Sequence, residues 1–152
     1  MKVCEELKVP TIISEQIPEK LGSTVKEINK SNVRLVYPKS QFSMLTNQVE
    51  DLLKEINPET VLLAGIEAHV CVLQTSLDLR ERGFDVHIVA DATSSQKNYD
   101  RKYAFERIRA SGGYLSTYES ICFQLLRDAA NPNFKNLLPL FKMERPNPML
   151  DF

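Results

Sequence analysis

The sequence is short of the features that would place it in several broad classes. No apolar run approaches the ~20 residues a membrane-spanning helix needs, and the opening residues do not read as a signal peptide. Cysteine is scarce: Cys4, Cys71 and Cys122 are odd in number and fall at no framework spacing. That argues against a disulfide scaffold and suits a reducing, cytoplasmic compartment. Two histidines and no CxxC pair leave little material for a metal site. Nor is there a charge excess. With 19 Lys and Arg against 20 Asp and Glu, the net charge is -1 and no basic block occurs, so nothing points to nucleic acid or a membrane surface. What remains is a chain of 152 residues, 43% hydrophobic and 26% charged, the composition of one soluble globular domain.

The rest of the chain is organised around residues 61–72. Val61-Leu62-Leu63-Ala64 is a continuous apolar run, as a strand buried on both faces requires, and Gly65 breaks it where a close turn is wanted. Val70, Leu73 and Leu77 then recur at roughly helical spacing, and Gly83 is a ready helix C-cap. Cys71 would lie in the first turn of that helix, at the carboxyl end of a central strand. Open α/β sheets bind ligands there, and helix-terminal N–H groups stabilise a thiolate. A buried, inert cysteine is the competing reading.

Strand and helix alternate on either side. An amphipathic helix over 1–8 leads to a strand over 9–14, a polar loop to Asn32 (with a short helix over 24–29) and a strand over 34–37. A helix spans 44–56, with Leu45, Val49, Leu52, Leu53 and Ile56 as its apolar stripe. Residues 84–90 read as a strand with His87 packed inside it, and 99–110 as a helix whose inner face holds Tyr103, Ala104 and Ile108. A short strand over 114–117, helices over 119–129 and 131–142 and a tail without periodicity follow. Cys122 falls in a core helix and reads as structural. The domain is expected to span 1–145, with 146–152 as a C-terminal tail.

The segment Gly65-Ile66-Glu67-Ala68-His69-Val70-Cys71-Val72 resembles the nucleophile motif of the isochorismatase-like cysteine hydrolases, closest to the eukaryotic isochorismatase domain-containing proteins. Ser14-Glu15-Gln16, Lys39-Ser40-Gln41-Phe42-Ser43, Asp91-Ala92-Thr93-Ser94-Ser95 and Leu115-Ser116-Thr117 match in the same order. The resemblance implies a three-layer, doubly wound, mostly parallel α/β sheet of six strands and an Asp-Lys-Cys catalytic group. Cys71 would attack a small amide, carbamoyl or related carbon, and Lys39 would favour the thiolate. Backbone N–H groups of Glu67 and Cys71 would form the oxyanion hole, beside a cis peptide between Ile66 and Glu67. Gln16 and Phe42 would face the substrate. Nicotinamidase-type relatives carry an aspartate metal ligand near the position of Gln16, so a neutral amide there implies no metal and no cofactor. His69, two residues from Cys71, is a weaker candidate than Lys39.

One element of the pattern is not matched. The family's aspartate sits on a first, central strand ahead of the helix that Met1 enters, and none of the seven aspartates here stands in that context. The expectation is an N-terminally short version of the domain, whose neighbouring strands must pair directly, stay open-edged or recruit another chain. Three functions follow: a small-molecule hydrolase impaired by the missing base, a non-catalytic binder that self-associates or joins a full-length relative, or a redox-sensing domain in which Cys71 is oxidised.

Overall fold

The computed structural model describes residues 1–144 and Pro148. Its elements run α1 (Lys2–Glu6), β1 (Thr11–Gln16), α2 (Pro18–Leu21), β2 (Val33–Lys39), α3 (Asn47–Ile56), β3 (Thr60–Gly65), a π-helical turn (Ala68–Val72), α4 (Leu73–Glu81), β4 (Asp85–Thr93), α5 (Asn98–Ala110), β5 (Tyr114–Ser116), α6 (Tyr118–Leu126) and α7 (Phe134–Phe141). Every strand pairing is parallel, as βαβ connections require. The α/β class expected from the sequence is the one observed.

The chain divides into two compact units. Residues 1–40, with the described residues from Glu119 to Glu144, make the first. Its sheet has two strands, β1 and β2, in register from Ile12 against Leu35 to Gln16 against Lys39. Strand β2 alternates strictly: Leu35, Tyr37 and Lys39 turn in while Arg34, Val36 and Pro38 are exposed, the pattern of a strand covered on one face. The helices close through aromatic packing, Phe123 of α6 stacking on Phe141 of α7 with centroids 4.8 Å apart. Leu137 of α7 and Val3 of α1 are buried.

Residues 41–118 make the second unit, built on the sheet β3-β4-β5. Strand β4 lies between the other two, and Val86, Ile88, Ala90 and Thr93 along it are all at most 3% exposed. Leu79 of α4 and Phe105 and Ile108 of α5 are buried in the same unit. Burial along β4 alternates, Val86, Ile88 and Ala90 buried with His87, Val89 and Asp91 half-buried between them, so one face of the strand is covered more deeply than the other.

The structure corrects several boundaries. The polar stretch Asp91–Thr93 continues β4 past Ala90, because Gly65 pairs with Thr93 across a register shift after Leu63. The short helix after β1 falls at Pro18–Leu21, proline taking its first turn, and not at 24–29. Tyr103 is 64% exposed, so it belongs to the outer face of α5; the inner face is Arg101, Ala104, Phe105 and Ile108. The five strands form two separate sheets, since β1 pairs only with β2 and β3 only with β4 among the described residues. The expected tail, 146–152, lies outside the described residues except for Pro148.

Candidate active site

In the second unit the chain leaves β3 at Gly65, whose φ of +121° is open to glycine and closed to most other residues. The Ile66–Glu67 peptide that follows is cis. Ala68–Val72 then winds as a π-helical turn before α4 begins, with Ala68 and Val72 buried and Cys71 half-buried and reduced. Such turns widen the backbone spiral and recur at functional sites. Its wide hydrogen-bond spacing sets Cys71 apart from an ordinary first helical turn. Thr75 fastens it from α4: its hydroxyl donates to the Cys71 carbonyl at 2.6 Å and accepts the Met44 N–H at 2.8 Å.

The end of β4 ties the same turn down. Ala68 N–H donates to the Ser94 carbonyl at 2.8 Å, and Ser94 N–H to the Gly65 carbonyl at 3.1 Å. One Glu67 carboxylate oxygen accepts the Gln96 N–H at 2.8 Å. His69 Nδ1 lies 3.0 Å from the Ser95 hydroxyl and 3.8 Å from that carboxylate oxygen. His69 and Glu67 therefore brace the turn against 94–96, a role the motif spacing did not show. The Ser94-Ser95 pair closing the Asp91–Ser95 marker was the available signal. Among the described backbone hydrogen bonds, none has the Glu67 N–H as donor. Ile66 and Phe42, 70% and 53% exposed, present apolar surface in this unit without burying it.

The other two site candidates belong to the first unit. Lys39 ends β2 only 7% exposed, where lysine is rare unless its charge is met. Its Nζ donates to Gln16 Oε1 at 2.5 Å, and Gln16 Nε2 donates in turn to the Ser40 carbonyl at 2.7 Å. Gln16 thus serves as a clamp on the lysine, both ends of its amide engaged. The next residue, Ile17, holds φ at +40°, which β-branched residues seldom adopt. That conformation turns the chain out of β1 into α2 and fixes where Gln16 ends. The neighbouring Glu15 carboxyl accepts the Thr24 N–H at 2.8 Å, and this bond holds its pKa below the usual glutamate value. Among the described residues, no group of three or more His, Cys, Asp or Glu side chains is placed to hold a metal ion. No helix among them is long and apolar enough to cross a membrane.

Parallel strands joined by helices, with a cysteine-bearing turn leaving a strand end, define an α/β chain of the isochorismatase-like fold. The isochorismatase domain matches residues 1–120, and the chain belongs to that family. It is 47% identical to isochorismatase family protein 1B of Dictyostelium discoideum over 99% of this chain and 76% of the relative. Against isochorismatase domain-containing protein 1 of Danio rerio it is 46% identical over 92% of this chain but 50% of the relative. A solved Caenorhabditis elegans structure described as MAR1 ribonuclease superposes with a TM-score of 0.91 at 39% identity, covering 97% of this chain and 77% of that one.

Proposed function

We propose that this isochorismatase-family chain acts on a small amide, carbamoyl or related substrate through Cys71. The observation that supports this best is the presentation of Cys71: half-buried, on a π-helical turn held by Thr75 on one side and by residues 94–96 on the other. The Cys71 thiolate adds to the substrate carbon and the carbonyl π electrons move to oxygen, where the Glu67 N–H stabilises the charge. Collapse of that adduct breaks the C–N bond, the leaving nitrogen takes a proton from solvent water, and a second water then cleaves the thioester, releasing the acid and returning the Cys71 thiol. Lys39 is assigned the family's cationic role on its matching motif, its burial and its clamp by Gln16.

No aspartate among these 152 residues stands in the context of the family's acid-base position, so the general base is left unassigned here. The open edges of β1 and β3 favour a homo-oligomer or association with a full-length relative. A second reading, cleavage of RNA, is favoured by the description of the 39% identical Caenorhabditis elegans structure.

A panel of simple amides, carbamoyl and ureido compounds and a short RNA, each incubated with the chain and with C71A, tests both readings. Slow release of product from an amide or carbamoyl compound, absent in C71A, is the expected result. Turnover that persists in C71A overturns the assignment of the nucleophile, and cleavage confined to RNA transfers it to the second reading.

A further inference from the structure

The outer face of α5 does not follow the charge of the molecule. Whole-chain charge is -1, yet the solvent-accessible side chains from Lys97, the residue that caps α5, to Ala110 include four cations, Lys97, Lys102, Arg107 and Arg109, against two carboxylates, the exposed Glu106 and the half-exposed Asp100. None of the described ion pairs involves Lys102 or Arg107. By contrast, the exposed charges of α3 are Asp51, Lys54 and Glu55, with Lys54 paired to Asp51 at 3.0 Å.

Two tyrosines stand among the α5 cations. Tyr99 and Tyr103 are 55% and 64% exposed and lie one turn apart, so their rings emerge on one face about 6 Å apart along the axis. The Lys97 ammonium sits 5.5 Å from the Tyr99 ring centroid. Nothing in the packing of α5 uses these rings, because Arg101, Ala104, Phe105 and Ile108 do the burying on the opposite face.

We propose that this face of α5 is a docking surface for single-stranded RNA. Spaced cations meet a phosphate backbone, and exposed rings between them offer stacking platforms for unpaired bases, which is how single strands are held without sequence readout. Charge complementarity selects this occupant. A second copy of the chain docked face to face on α5 would set the same cations against each other. An acidic protein segment would satisfy the cations and leave the tyrosines without a counterpart. The inference concerns binding, and it stands whether or not RNA is the substrate at Cys71.

Fluorescence anisotropy of a labelled single-stranded RNA of about twelve nucleotides, at about 50 and 200 mM salt, tests it. The chain is expected to bind at the lower salt and to weaken as salt rises. K102E/R107E should weaken binding at least ~10-fold and lower the salt slope by ~0.7 for each phosphate no longer neutralised. Y99S/Y103S should also weaken it ~10-fold with the slope unchanged, since stacking releases no counterions. K54E on α3, a cation removed elsewhere, should leave binding as it was. Circular dichroism confirms that each variant is folded. Absence of binding at the lower salt, or wild-type affinity in both α5 variants, overturns the proposal. Equal affinity for a duplex of the same length, or equal competition by an oligoglutamate peptide, overturns it as well, the latter outcome pointing to an acidic protein partner.

Discussion

The two sheets place their site residues under different conditions. In the three-stranded sheet, β4 has a partner on both edges, and its inward residues Val86 and Ile88 are fully buried. In the two-stranded sheet no strand is flanked on both sides, and none of the six residues of β1 is buried. Both contain apolar β-branched runs, so composition does not explain the difference. Pairing accounts for part of it: a strand with two neighbours gains two further rows of side chains and their covering helices, whereas the singly paired β2 buries only Tyr37 and Lys39. The Cys71 turn departs from the sheet that contains such a strand. Lys39 and Gln16 end a sheet that lacks one, joined by the bond from Lys39 Nζ to Gln16 Oε1 and tied to the backbone by that from Gln16 Nε2 to the Ser40 carbonyl.

Removing matched side chains from the two sheets sharpens this contrast. Ile88→Ala, emptying a site at 0% exposure, should cost about 2–5 kcal/mol because the flanking strands and helices cannot collapse into the space. Ile13→Ala in the part-exposed β1 should cost less than half as much. Urea unfolding midpoints of the two variants decide it, and equal losses would mean that pairing does not govern burial here.

A smaller effect distinguishes the loop that follows β1. The Glu15 carboxyl is held below its usual pKa chiefly by the Thr24 N–H, so the folded state favours the ionised form. That contribution is fully present above the unfolded glutamate value of about 4.3 and is lost as pH falls through the lower folded value. Thermal melts of E15Q and the parent should therefore differ at pH 6 and converge as the pH drops below about 4. A gap that stays constant with pH would remove the carboxylate from this role.

Much of this arrangement was legible in the sequence where local pattern and covalent constraint agree. The apolar run before Gly65 and the interruption at glycine specify a strand and a turn, and the structure contains both, with the half-buried Cys71 just beyond them. Tyr103 was misplaced because spacing alone cannot say which face of a short amphipathic helix is inner when both contain large rings. Arg101 takes the position instead, its guanidinium donating to the Ala90 carbonyl at 2.6 Å, and burial lowers its pKa. No propensity signals a π-helical turn, which here is held by partners 26 and 29 residues away in the chain. The clamp between Gln16 and Lys39 spans 23 residues and depends on strand register, which composition does not contain. Division into two sheets was half visible, as strands short of a neighbour.

The central claim is that Cys71 is presented as a nucleophile and not merely accommodated. Cys4 and Cys71 are both half-buried, whereas Cys122 is 2% exposed, so Cys4 serves as a control for access. Iodoacetamide labelling at increasing pH, with each cysteine followed by its own peptide in mass spectrometry, measures thiolate reactivity at all three. The account predicts that Cys71 is modified faster than Cys4 at every pH below about 8, and that Cys122 lags both. Labelling of Cys71 no faster than Cys4 across that range would contradict it.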